Sequence, residues 1–149
     1  MPTARRPNSM SAYGVPDDGE GMMTWEWANE RLVDAHNYWV VTGGPHTTPV
    51  WGVWRDDAFF FSCGPGSRKA REIARDAHVV VHLESGSDVV IVEGVAEQIE
   101  ANAALVAELA AKYGPAEGGE GANWYAVRPQ RAFAWQEASF PASPTRFDF

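Results

Sequence analysis

Phe59-Phe60-Phe61-Ser62-Cys63-Gly64-Pro65-Gly66-Ser67-Arg68-Lys69-Ala70-Arg71 is the stretch on which the reading of this chain turns. Three consecutive phenylalanines read as a strand, because aromatic side chains fit a pleated, packed surface. Gly64-Pro65-Gly66 breaks that strand with a bend. Ser67 then offers its hydroxyl to the unpaired N–H groups of a helix running to about Arg75. Arg68, Lys69 and Arg71 follow within one turn, and such a helix end, already carrying partial positive charge, is a receptor for a phosphate. Lysine occurs only at Lys69 and Lys112 in the whole chain. A cation in the first helical turn opposes the dipole unless an anion sits there. The competing reading is a solvated helix face on which Arg68, Arg71 and Arg75 pair with Glu72 and Asp76.

Outward from this stretch the pattern is mostly strands. Upstream, Trp25, Ala28, Leu32 and Ala35 recur at helical spacing behind a Thr24 cap, and Tyr38-Trp39-Val40-Val41-Thr42, a Gly43-Gly44-Pro45 turn and Thr47 to Trp54 read as a hairpin. Trp51 and Trp54 are predicted to face opposite sides of that second strand, one toward the core and one toward a groove. Downstream, His78 to Leu83 and Val89 to Ala96 form a second hairpin around Glu84-Ser85-Gly86-Ser87-Asp88. Ala101 to Tyr113 is a helix stopped by Gly114-Pro115, Gly118 to Gly121 is a flexible loop, and Asn123 to Val127 and Ala132 to Gln136 are two strands flanking Pro129. Residues 1–23, rich in Pro and Gly, read as a mobile N-terminal arm before a single domain over residues 24–149. Six to seven mostly antiparallel strands with flanking helices give a mainly β (α+β) fold, a barrel with helices outside it.

Composition narrows the function. The 149 residues carry 12 basic and 20 acidic side chains, a net charge of −8, which argues against broad nucleic-acid binding. No apolar run is long enough to span a membrane, Arg5-Arg6 leads into polar residues, and the lone Cys63 cannot form an internal disulfide. The expected location is the cytoplasm. His78 and His82 read as structural strand residues, and no metal site is expected. Gly64-Pro65-Gly66-Ser67-Arg68-Lys69-Ala70, with Glu84 downstream, also has the outline of a dinucleotide-binding fingerprint, so a nicotinamide-binding doubly wound fold is a third reading.

The Phe59-Phe60-Phe61-Ser62 strand, the Ser67-Arg68-Lys69-Ala70 segment, Val79-Val80-Val81 and Val92-Glu93-Gly94-Val95-Ala96-Glu97 together resemble the pyridoxamine 5'-phosphate oxidase-like superfamily of flavin- and deazaflavin-dependent oxidoreductases. Tyr38 to Thr42, Pro45-His46, Pro49 to Trp54, Arg128-Pro129 and Thr145-Arg146-Phe147 are similar to its small actinobacterial branch. The resemblance spans about Trp25 to Phe149. It implies a split β-barrel, a homodimer and a cofactor, the deazaflavin F-420 or FMN, held between subunits. Carried over by position, the phosphate contacts fall on Ser67, Arg68 and Lys69, with Arg71 one turn along. Phe61 and Ser62 stand beside the ribityl chain, and Pro49, Val50, Trp51 and Gly52 lie along the ring, where Gly52 would permit close approach. The oxidase's C-terminal Trp-and-Arg signature is absent, so vitamin B6 oxidation is not expected. The implied activity is hydride transfer between the cofactor and a small organic substrate; the alternative is a non-catalytic cofactor-binding or carrier protein.

Overall fold

The computed structural model describes residues 1–8, 10–115 and 121–149. The elements run β1 (Thr3–Arg5), α1 (Trp25–Asp34), β2 (Tyr38–Thr42), β3 (His46–Val50), β4 (Val53–Arg55), β5 (Ala58–Cys63), α2 (Arg68–Arg75), β6 (His78–His82), β7 (Asp88–Ile99), α3 (Ala103–Tyr113), β8 (Asn123–Gln136) and β9 (Thr145–Asp148). The Gly118 to Gly121 loop reading lies largely outside the described residues, which resume at Gly121. Nine strands join in one sheet in the order β1-β9-β8-β7-β6-β2-β3, with β5 also on β8 and β4 on β5. Every pairing among the described strands is antiparallel. That removes the doubly wound reading, which needs parallel strands joined by crossovers. The fold is the split β-barrel.

One long strand splits the barrel. The first half of β8, Asn123 to Val127, pairs with β5, and Arg131 to Ala134 pair on the same edge with β9. β7 runs along its other edge from Asp88 to Ile99. The sequence suggested two strands around Pro129; there is one, and the interruption is absorbed by a register shift between Glu93 and Gly94, opposite Arg131 and Pro129, that leaves Gln130 unmatched. Proline has no N–H to give the ladder, so a bulge is the least costly way past it. Gly94 completes the fit, since a Cβ there would stand 2.5 Å from the Arg128 carbonyl.

The triple phenylalanine is explained by a strand buried on both faces. Phe59 and Phe61 pack inside the barrel with Tyr38, Val81, Val92 and Phe147, where Trp25, Ala28 and Leu32 of α1 join them. Phe60 points the other way, into a second cluster with Leu105 of α3, Trp124 and Ala126. Thr24 caps α1, Ser67 caps α2 and Asn102 caps α3, each accepting a backbone N–H through its side-chain oxygen.

The N-terminal segment departs from the expected mobile arm. β1 adds an edge strand to β9, and Val15 is buried. The Arg6 guanidinium donates to the carbonyls of Asp18, Glu20, Ala142 and Pro144. Composition did not reveal this, because the partners are backbone carbonyls from both ends of the chain. Arg6→Ala is expected to destabilise the fold by about 2 kcal/mol, since several charge-assisted bonds are lost together. Deleting residues 1–23 should lower the melting temperature further in calorimetry; unchanged melting of both variants would return the segment to the status of a loose arm.

Candidate functional site

The bend after β5 and the Ser67 cap set the start of α2 beside the β2–β3 hairpin. Ser67 Oγ accepts the Ala70 N–H at 3.2 Å. Lys69 Nζ reaches across to Thr48 Oγ1 on β3 at 2.6 Å. Arg68 turns back: its Nε donates to Glu72 Oε2 at 2.7 Å and a terminal nitrogen to the Pro45 carbonyl at 3.3 Å. Arg71 has no hydrogen bond or ion pair among the described residues. An open cavity of about 540 Å³ lies against the helix, lined by Arg68, Arg71, Glu72, Ala74 and Arg75.

Glu72 is the residue that the sequence reading placed wrongly. It is no solvated partner but is 4% exposed, and it also accepts from Thr42 Oγ1 at 2.7 Å and the Gly44 N–H at 2.9 Å. Gly44 must be glycine, because a Cβ there would collide with the Glu72 carboxylate. The hydrogen bond from Arg68, then that from Thr42, hold the Glu72 carboxyl down at about 2, against the opposing effect of burial. Asp76 pairs with His78 at 2.8 Å instead of an arginine, and Arg75 approaches Glu72 only to 4.0 Å. Arg68 is therefore a clamp between α2 and the hairpin as much as a surface cation. Lys69 is half-buried against Thr48, and Arg71 is the exposed charge with no hydrogen bond or ion pair among the described residues.

Further along, strand pairing stops at Trp51-Gly52, and α3 holds that break. The Tyr113 hydroxyl accepts the Gly52 N–H at 3.1 Å and donates to the His36 carbonyl at 2.7 Å. Lys112 Nζ donates to the Gly52 carbonyl at 3.1 Å and to Tyr38 Oη at 2.9 Å. Burial lowers the pKa of Lys112, with Asp34 and Glu108 opposing. Burial likewise raises Tyr38 and Tyr113. A Cβ on Gly52 would strike the Phe59 ring and the Phe60 carbonyl. Packing against β5 is by itself enough to require glycine here.

The two tryptophans separate cleanly: Trp54 is 2% exposed, its Nε1 on Asn29, while Trp51 is 53% exposed and stacks on Tyr113. Phe61 is fully buried, so only its backbone could lie beside a ligand, whereas Ser62 is partly exposed. Pro49 is exposed and Val50 half-buried at the end of β3. Ser67, Arg68 and Lys69 are thus brought together with the Pro45 to Thr48 end of the hairpin, and Pro49 to Trp51 continue from it. Sequence reasoning missed Thr48, His36 and Tyr113; the second lysine, Lys112, is the one trace of this arrangement in the sequence.

A family model described as pyridoxamine 5'-phosphate oxidase matches residues 29–136. The chain belongs to this family. Among solved structures, a conserved hypothetical protein from Mycobacterium tuberculosis is 22% identical, over 76% of this chain and 85% of its own, with a TM-score of 0.67. A structure described as an F420 reductase is 19% identical over 69% and 94%, with a TM-score of 0.59. An FAD-binding protein from Mesorhizobium loti is 12% identical over 85% and 96%, also at 0.59. At these identities the likeness is one of fold. No curated protein matches the sequence.

The depressed Glu72 carboxyl gives the clamp a pH signature. A group whose pKa falls on folding, here from 4.5 to about 2, stabilises fully above its unfolded value and loses that contribution as pH falls toward its folded one. The melting-temperature gap between the parent and Glu72→Gln should therefore be widest above pH 5 and narrow steadily toward pH 2. A gap independent of pH would show that the charge on Glu72 is not what clamps the hairpin.

Proposed function

We propose that this protein is an oxidoreductase that holds a flavin-type cofactor, F-420 or FMN, by its phosphate at the start of α2. The observation that carries the reading is the pair Lys69 and Arg71 at a Ser67-capped helix N-terminus in an acidic chain, with Arg71 unpartnered among the described residues. The donor set suits a phosphate: a lysine ammonium, a guanidinium and helix N–H groups are all donors, and the one carboxylate beside them, Glu72, is already matched by Arg68. Family membership, and fold neighbours described as an F420 reductase and an FAD-binding protein, support the same class of ligand. The cofactor, when bound, supplies hydride transfer. The chain's residues anchor and align it: Lys69 and Arg71 neutralise the phosphate, Ser67 fixes the helix end, and Arg68 with Glu72 keeps the hairpin against α2. Beyond that clamp, Pro49, Val50 and Trp51 offer a wall three residues long.

The protein acts as a homodimer in this reading. Pro49, Trp39, His82, Ile91 and Phe133 lie in one cross-strand row over β3, β2, β6, β7 and β8. Trp39, Ile91 and Phe133 are only half-buried on that outer face. Such a face suits a second copy, which would also close the cofactor groove. Among the described residues no helix is long and apolar enough to cross a membrane. A cytoplasmic location and a small organic substrate complete the reading.

Titration calorimetry of FMN and F-420 tests the phosphate site. Lys69→Ala and Arg71→Ala should each weaken binding by ~1.5–3 kcal/mol, roughly ten- to a hundredfold, with little change in apo melting. Arg68→Ala should lower stability as well, because it strands a buried carboxylate. Unchanged affinity in both Lys69→Ala and Arg71→Ala would end the assignment. Light scattering tests the dimer: Ile91→Asp should convert it to a monomer at micromolar concentration, and a monomeric parent would refute it.

A further inference from the structure

On the side of α2 that faces the barrel, a cavity of about 320 Å³ lies between the helix, the last residues of β7 and the first of β8. Ala70 and Ile73, both buried, give it an apolar wall. Gln98 of β7, with Asn123 and Tyr125 of β8, lines the opposite wall. Gln98 pairs directly with Tyr125, so these three share the sheet face that looks into the barrel. Among the described residues Arg71 is the one charged side chain in the lining. Tyr125 is 2% exposed, and its ring is stacked on Phe61, which fixes where its hydroxyl sits. That hydroxyl accepts from Asn123 Nδ2 at 3.2 Å, but no described residue accepts its proton in turn. Burial raises the Tyr125 hydroxyl, so it stays protonated as a donor. A buried donor without an acceptor is uncommon.

We infer that this cavity is a second binding site, for a small organic monocarboxylate with an apolar body, beyond the cofactor reading. A carboxylate supplies what the lining lacks. It brings one negative charge and a planar fork for the Arg71 guanidinium, and an acceptor for the Tyr125 hydroxyl. Its apolar remainder suits Ile73 and the alanines. A cation finds no counter-charge in this lining, and a phosphate carries more charge than a single guanidinium matches. Arg71 also lines the cavity on the outer side of α2, so an anion in either place draws on the same guanidinium. Lys69 reaches Thr48 and lies outside this lining, which tells the two sites apart.

The test uses the full cofactor-free chain and para-fluorobenzoate, followed by fluorine NMR. The parent should bind this acid about tenfold or more tightly than para-fluorobenzamide, its neutral isostere, because only the acid makes a charge-assisted pair with Arg71. Arg71→Ala should weaken the acid about tenfold and leave the amide unchanged. Gln98 is exposed at the rim, so its charge can be altered without disturbing the core: Gln98→Glu should weaken the acid and Gln98→Lys should tighten it. Tyr125→Phe, which removes only the hydroxyl, should weaken it by about three- to tenfold. Thermal melts accompany each variant, and the two Gln98 variants carry the test if Tyr125→Phe does not fold. Lys69→Ala should leave the acid unchanged while weakening FMN. Equal affinity for acid and amide, Gln98 variants that bind the acid as the parent does, or no binding by the parent at millimolar acid overturns the site. An equal loss of acid binding in Lys69→Ala places the acid in the phosphate cradle and overturns it as well. If FMN proves indifferent to Lys69 while the acid still responds to Gln98, the phosphate reading falls and this site stands.

Discussion

The shared strand β8 is the constraint from which the rest follows. One edge carries the whole of β7, and the other is divided between β5 and β9. A strand fourteen residues long cannot keep one flat partner on each side, because sheet twist accumulates along it. Dividing one edge between two partners, with the bulge beside Pro129, lets the sheet curl into a barrel and leave it open. Where β5 leaves β8 the chain must turn, and Gly64-Pro65-Gly66 makes that turn. The start of α2 is thereby delivered to the β2–β3 hairpin.

Glu72 then joins these two pieces. A buried carboxylate is tolerated only when its charge is matched and its oxygens are satisfied, and here Arg68, Thr42 and Gly44 do both. The consequence for function is a division of labour among neighbouring cations. Arg68 is committed to Glu72 and the hairpin and Lys69 to Thr48, while Arg71 has no hydrogen bond or ion pair among the described residues. At the far end of β3, Lys112 and Tyr113 do the corresponding work for Trp51-Gly52, so the surface between the two lysines is held at both ends.

Much of this was legible in the chain itself. Most strand segments, the three helices with their Thr24 and Ser67 caps, and the β6–β7 hairpin follow from local rules: apolar periodicity, glycine and proline punctuation, and side-chain oxygens before helices. Such signals act over a few residues, so they survive in one dimension. The resemblance to the oxidase family rests on the same stretches.

What only the tertiary structure decided is which partners those residues take. Arg6 was part of an apparently loose arm because carbonyls more than a hundred residues away leave no mark beside it. Glu72 looked like a surface residue because its burial depends on Thr42 and Gly44, brought near by the hairpin. Gly52 carries a second demand invisible in the sequence, since the space its Cβ would fill belongs to Phe59 and Phe60. Trp51 and Trp54 do face differently, but through the break between β3 and β4 that the sequence read as one strand, and which is inside depends on where α1 and α3 dock. Sequence fixes what each side chain can do; long-range packing selects the neighbour with which it does it, because burial and charge pairing are properties of the assembled neighbourhood and not of the chain.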